Sequence, residues 1–245
     1  MTPMRAAFLI ARKELASFFD SPMAYLVIVA FLGVSGFFTW WFGTDVFIRG
    51  IADLSTFFNV ANWSLFILIP ALTMRTIAEE RKSGTLDLLL TRSITPQQVI
   101  AGKFLACLAL IVLTLLCTLP YYATVAMLGP IDHGTVICGY LGLALMSAAY
   151  IALGIFASSL TANQITAFIL ALVIMALFHF GTSVLAANLT GLTGQVFRYL
   201  STGNHFESMG RGVIDSRDLV YFLSLTAAGL LLAGHELARR GARHA

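Results

Sequence analysis

The amino-acid sequence predicts an all-α integral membrane protein with six transmembrane helices. Three observations lead to this fold class: the composition, the length of the apolar runs and the placement of charge. Apolar residues make up 58% of the 245 residues, only 11% are charged, and the mean hydropathy is +0.86. Because soluble domains carry about 25% charged residues, the composition excludes a soluble enzyme. It equally excludes a nucleic-acid-binding module, so no nucleic acid partner is expected.

Six apolar runs are long enough, or nearly so, to cross a bilayer as helices, which takes about 20 residues each. The predicted spans are residues 23–42, 57–74, 104–128, 136–160, 165–187 and 219–235. No Asp, Glu, Lys or Arg falls within these limits, in agreement with the high cost of charge in the bilayer core. Without a linker or a clear repeat, residues 1–245 are expected to form a single transmembrane domain.

The basic residues predict the orientation of these spans. Eleven of the 15 Lys and Arg residues fall in one alternating set of loops and ends, and four fall in the other set. Cytoplasmic loops are enriched in Lys and Arg, so the richer set is expected in the cytoplasm. Both termini belong to that set, as an even number of spans requires.

The residues before the first span predict an amphipathic helix over positions 4–19. Apolar residues at helical spacing form one stripe, which consists of Met4, Phe8, Ala11, Leu15 and Phe18. Arg12 and Lys13 lie on other faces, and Pro22 stands where a proline favours the start of the first span. We expect residues 1–22 to form an interface helix on the membrane lipids. A simple anchor and a helix that contacts another protein both remain open.

The segment between spans two and three predicts a helical elbow just inside the membrane. The charged run Glu-Glu-Arg-Lys at positions 79–82 is followed by Gly84, a residue that commonly ends helices. Thr95, Pro96 and Gln98 then form the pattern of a capping box with proline at the first turn. The apolar stretch between these two signals suits docking onto a soluble partner, with a self-packed reverse turn as the alternative.

The elbow carries a resemblance to a known family. Residues 79–91 read Glu-Glu-Arg-Lys-Ser-Gly-Thr-Leu-Asp-Leu-Leu-Leu-Thr, followed by Gly102 and Lys103. This resembles the signature between spans two and three of ABC-2 type transporter permeases, with Asp87 in place of the usual glutamate. The N-terminal Arg12-Lys13-Glu14-Leu15, with Ser21-Pro22, is similar to the gliding-motility-associated branch of that family.

The resemblance implies the permease subunit of an ATP-driven exporter in a bacterial inner membrane. Its implied partners are two ATPase subunits, a second permease copy or homologous permease, and membrane lipids. In that family the elbow contacts the ATPase. The residues so assigned to coupling are Glu79, Glu80, Arg81, Gly84, Thr85 and Asp87, and those assigned to the interface helix are Arg12, Lys13 and Glu14.

The chain itself is expected to be a transport subunit and not an enzyme. It contains no Gly-x-x-x-x-Gly-Lys-Ser/Thr phosphate-binding loop, so ATP and Mg are expected on the partner ATPase. No spacing of metal ligands appears, so the chain is expected to bind no cofactor or metal of its own. The outer segment of residues 188–218 is expected to gate an exit, to dock an extracytoplasmic accessory protein or to be a solvated loop.

Two other classes stay open from the residues alone. An ion-coupled carrier or channel usually has ionisable groups at mid-membrane, where this chain has only His179. Gly33-Val34-Ser35-Gly36 resembles the Gly-x-Ser-Gly of rhomboid-type intramembrane serine proteases, but rhomboids carry serine and histidine in the fourth and sixth core helices. Here they fall in spans one and five. Substrate and direction also stay open, since phospholipid, glycan, peptide and drug are all compatible with these spans.

Overall fold

The computed structural model describes residues 3–41, 52–85 and 95–244, and every regular element in these ranges is helical. The first six helices are α1 Pro3–Asp20, α2 Met23–Trp40, α3 Ser55–Thr73, α4 Ala78–Lys82, α5 Pro96–Leu116 and α6 Leu119–Leu128. The next are α7 His133–Leu160 and α8 Gln164–Ala176, followed by a π-helical turn at Leu177–Gly181. The last four are α9 Thr182–Asn188, α10 Gly191–Tyr199, α11 Thr202–Gly210 and α12 Ser216–His244.

Six helical segments of the described ranges are long and apolar enough to cross a membrane, which confirms the six predicted spans. They are Met23–Trp40, Ser55–Lys82, Pro96–Leu128, His133–Leu160, Gln164–Asn188 and Ser216–Arg239. The last continues beyond its predicted end as one helix with charged residues at its end, whereas the second consists of α3, which ends at Thr73, a turn and α4. Position 42, the predicted end of the first span, lies outside the described residues.

Local signals in the sequence set the helix ends at the elbow, as predicted. The Gln98 backbone N–H donates to Thr95 Oγ1 at 3.4 Å, and the Thr95 N–H donates to Gln98 Oε1 at 3.0 Å. This reciprocal capping box begins α5, with Pro96 in its first turn. At the end of α4, Gly84 has a φ of +71°, the left-handed conformation that stops helices.

The third span is interrupted where a proline-induced kink is expected. Helix α5 ends at Leu116 and α6 begins at Leu119, because Pro120 has no N–H with which to continue the helical ladder. The Tyr121 hydroxyl beyond this break donates to the Leu32 carbonyl at 3.0 Å and ties α6 to α2. The next helix, α7, is capped by Asp132, and hydrogen bonds from Thr135 and Gly134 lower the pKa of this exposed carboxyl.

Helix α7 occupies the centre of the bundle and packs against α3, α8, α11 and α12. Glycines permit two of these close approaches: Gly154 lies against Thr73 of α3, and Gly229 of α12 lies against Ala152. The small residues of this span therefore serve packing within the chain. The helix bundle has two ends, which we call the elbow side and the far side. The elbow side holds α1, α4 and the start of α5, and the far side holds α10 and α11.

Helix α1 covers the residues of the predicted interface helix and packs against α5. Met4 and Phe8 are 85% and 67% exposed, whereas Ala7 and Ala11 are buried. Ile10, which does not belong to the predicted stripe, packs against Gly102 of α5. Gly102 lets the two helices approach closely, and the predicted stripe divides: Met4 and Phe8 stay exposed, whereas Ala11 is buried. Two short helices, α10 and α11, lie in the outer segment.

Candidate functional site at the elbow

A buried lysine joins three helices on the elbow side. The side chain of Lys103, in the second turn of α5, is only 2% exposed. Its Nζ donates to Glu14 Oε1 of α1 at 2.9 Å and to Glu80 Oε1 of α4 at 2.7 Å. We call Glu14, Glu80 and Lys103 the elbow triad. It fastens both the interface helix and the elbow to the beginning of the third span.

The two carboxylates compensate a charge that would be costly to bury alone. Removing an ammonium from water costs several kcal/mol, and this cost is recovered only through close, hydrogen-bonded partners. Both glutamates keep 21% of their side chains exposed, so one edge of the triad meets solvent. Glu80 Oε2 is buried and has no hydrogen-bond partner among the described residues. The elbow triad therefore combines two short ion pairs with one carboxylate oxygen that lacks a hydrogen bond.

A cleft of about 350 Å³ opens beside the elbow triad. Besides the triad, its walls include Lys13 of α1 and Glu79 of α4. Both of these side chains are exposed. The cleft therefore brings charged residues of the interface helix and of the elbow to one surface, although the two segments are more than 60 residues apart in the sequence.

Ser158 of α7 holds the turn between α3 and α4. Its hydroxyl accepts hydrogen bonds from the backbone N–H groups of Ile77 and Ala78, at 3.2 and 3.1 Å. The same hydroxyl donates to the Met74 carbonyl at 3.1 Å. Ser158 is fully buried, so it satisfies backbone groups that α4 would otherwise leave unpaired in the protein interior. The start of the elbow is therefore fixed to the central helix.

The residues assigned to coupling by resemblance differ in what they present to a partner. Glu79, Gly84 and Thr85 are exposed, and the Thr85 hydroxyl donates to the Glu80 carbonyl at 3.3 Å. Arg81 is half-buried, whereas the carboxylate of Glu80 is turned inward to Lys103. Asp87 and the apolar stretch after it lie outside the described residues.

Arg12 and Lys13 of the interface helix are exposed, while Glu14 joins the elbow triad. Sequence reasoning therefore named both carboxylates of the triad but neither their pairing nor Lys103 as their partner. A signal was present, because a single Lys at the threshold of an apolar span requires nearby anions if it is buried. Ser158 gave no such signal, since serine is common in packed membrane helices.

The structure does not bring together the serine and histidine of the protease hypothesis. The Ser35 hydroxyl donates to the Phe31 carbonyl of its own helix at 2.6 Å. His179 Nδ1 instead forms a hydrogen bond with the Tyr150 hydroxyl at 2.7 Å. Since neither side chain is bonded to the other, no nucleophile–base pair exists at these residues.

Comparison with known proteins gives one match. Residues 49–232, three quarters of the chain, match the family described as "ABC-2 family transporter protein". The matched region begins before α3 and ends within α12, and it includes the elbow, four complete spans and most of the sixth. No match was found among curated proteins.

Proposed function

Because the chain belongs to the ABC-2 family of transporter membrane domains, we propose that it couples ATP hydrolysis on a separate ATPase to substrate movement across or out of a bacterial inner membrane. As the membrane domain of such a transporter, it is the permease, the non-catalytic part. The proposed complex contains two ATPase subunits, which bind ATP and Mg, and a second permease copy or a homologous permease. Both termini and the elbow side face the cytoplasm in this arrangement.

The elbow triad is the observation that carries the coupling proposal. A force applied to α4 would be transmitted through Glu80 and Lys103 to the base of the third span, and through Lys103 to Glu14 of the interface helix. Ser158 adds a connection from the same turn to the central helix α7. Coupling between distant sites is carried by such sets of packed and hydrogen-bonded elements.

The exposed charges around the cleft form the proposed ATPase contact. On α4 these are Glu79 and Lys82, and on α1 they are Arg12 and Lys13. Glu80 takes part through Lys103 and not through direct contact, because its carboxylate faces inward. The contact and the force-transmitting residues are therefore different groups, which mutations can separate. Membership in the gliding-motility-associated branch is part of the proposal and rests on the N-terminal resemblance alone.

Charge reversal at the exposed positions tests this contact. We expect Glu79→Arg and Lys82→Glu to insert and fold normally, since exposed substitutions usually change stability by less than about 0.5 kcal/mol. Both variants should lose co-purification with the co-expressed ATPase and lower its hydrolysis rate in reconstituted vesicles. Arg217→Glu, an exposed reversal at the far-side start of α12, is the matched control and should behave like the parent. Normal docking and hydrolysis by both elbow variants would contradict the proposal.

A further inference from the structure

A cavity of about 480 Å³ lies on the far side, between α3, the π-helical turn and α11. Trp63 of α3 and His179 of the π-helical turn contribute aromatic walls. Short π-helical insertions occur frequently at functional sites. The cavity is distinct from the elbow triad, and the coupling argument makes no use of it.

One buried polar atom of the cavity wall has no hydrogen-bond partner in the described part of the chain. Asn62 of α3 is 92% buried, and its Oδ1 atom forms no hydrogen bond with the described residues. A buried amide without a partner is a net penalty to folding, which a leucine of similar size would avoid. The presence of asparagine at this position is explained if a ligand in the cavity donates a hydrogen bond to its Oδ1 atom.

Charged residues at the cavity rim indicate the kind of head group that fits. Asp53, before α3, and Glu207 of α11 offer carboxylates, and Arg211, which directly follows the end of α11, offers a guanidinium group. All three residues line the cavity. A ligand with an ammonium group and an anionic group would find an opposite charge for each. A purely anionic ligand would meet two carboxylates.

An apolar groove of about 400 Å³ lies between α2 and α3, next to the cavity. Trp63 lines both spaces, and the groove is otherwise bounded by residues such as Val34 and Ile67. These two side chains are 44% and 55% exposed, so the groove is open toward the membrane. Its one hydroxyl, that of Ser64, donates to the Val60 carbonyl of its own helix at 2.8 Å. The groove therefore suits an acyl chain.

From this juxtaposition we propose that the far-side cavity and the groove together bind a zwitterionic phospholipid that carries a primary amine, such as phosphatidylethanolamine. Its phosphate binds Arg211, its ammonium binds Asp53 and Glu207, a donor of the head group binds Asn62, and an acyl chain follows Trp63 into the groove. The idea that this lipid is also the transported substrate rests on the proposed transport function. The binding site itself does not depend on that function.

Tryptophan fluorescence of the purified full chain in maltoside micelles measures this binding. Phosphatidylethanolamine with brominated acyl chains, added in small amounts, should quench the fluorescence of Trp63 until the site is saturated. The Trp63→Phe variant measures the background quenching of Trp40 and Trp41. Unlabelled phosphatidylethanolamine should compete more strongly than phosphatidylglycerol. Loss of one hydrogen bond to a buried group should weaken binding about tenfold in Asn62→Leu. Its unfolding temperature should not fall, since the replaced amide has no partner.

Two further variants make the result decisive. Arg211→Gln, at an exposed position, should weaken the binding of phosphatidylethanolamine without changing the unfolding temperature. Asn188→Leu is the matched control, because Asn188 is exposed outside the cavity and its amide donates to the Val184 carbonyl of its own helix. It should bind like the parent. Equal competition by the two lipids, or parent-like binding by either Asn62→Leu or Arg211→Gln, would overturn the site.

The assay contains neither ATPase nor nucleotide, so its failure is distinguishable from failure of the coupling proposal. Absence of lipid binding would remove the far-side site and leave ATPase docking at the elbow unaffected. A result that contradicts ATPase docking at the elbow would in turn not change the measured lipid affinity.

Discussion

Lys103 Nζ lies 2.7 Å from Glu80 Oε1, so the elbow is bound to the base of the third span through a buried ion pair. The ammonium group has a second carboxylate partner, Glu14 Oε1, at 2.9 Å. A change in the position of α4 must therefore either carry α5 and α1 along or break a charge-assisted contact away from bulk water. Such a contact is about twice as strong as a neutral hydrogen bond, which favours movement of the three helices as a unit.

Removal of the lysine alone should destabilise the protein. Lys103→Met leaves Glu14 and Glu80 facing each other without their shared cation. Removing one partner of a buried ion pair costs about 3–5 kcal/mol, and we expect the lower end because both glutamates keep some contact with solvent. The measurement is the thermal unfolding midpoint by circular dichroism.

A triple variant separates stability from coupling at the same residues. In Lys103→Met with Glu14→Gln and Glu80→Gln no charge is left unpaired, and the unfolding midpoint should return toward that of the parent. In this triple variant, ATP hydrolysis by the partner should nevertheless no longer drive transport, because the link between α4 and α5 is lost. A single Lys103→Met variant as stable as the parent would show that the triad contributes nothing to the fold.

The turn between α3 and α4 can be tested with two neighbouring serines. Ser158→Ala removes the acceptor of the Ile77 and Ala78 N–H groups, and losing such a cap costs about 0.5–2 kcal/mol. Ser159→Ala is the matched control, because Ser159 is also buried but its hydroxyl donates only to the Phe156 carbonyl of its own helix. We expect a lower unfolding midpoint and weaker ATPase stimulation for Ser158→Ala only. Equal effects of the two variants would contradict a specific role of Ser158.

Short-range signals allowed much of this fold to be predicted. The six spans follow from run length and the absence of charge, and the starts and stops at Thr95 and Gly84 follow from local capping chemistry. The elbow triad and the contact of Ser158 could not be predicted, because their members lie far apart in the chain and meet only when the helices pack. The packing of Ile10 of α1 against Gly102 could not be predicted for the same reason.

The glycines of two spans should respond oppositely to alanine. A Cβ atom at Gly154 would clash with Thr73 Oγ1 and would lie 2.9 Å from Thr73 Cβ, so Gly154→Ala forces α7 and α3 apart. Overpacking of this kind costs about 1–3 kcal/mol. At Gly33 no atom lies within 4 Å of the added Cβ, and Gly33→Ala should be neutral or stabilising by up to about 1 kcal/mol. Unfolding midpoints of the two variants in the same detergent test the contrast.

The backbone conformation of Gly84 should determine the direction in which the chain leaves the elbow. Gly84 has a φ of +71°, and no atom lies within 4 Å of a Cβ built there. A substitution at this position therefore acts through the backbone and not through a clash. Gly84→Val should redirect the chain or hold it at a cost of about 1–2 kcal/mol, whereas Gly84→Asn should be tolerated because asparagine adopts this conformation more readily. We expect both variants to reach the membrane, with ATPase stimulation lost in Gly84→Val and largely kept in Gly84→Asn. Parent-like stimulation by Gly84→Val would show that the left-handed turn at the elbow is not needed for coupling.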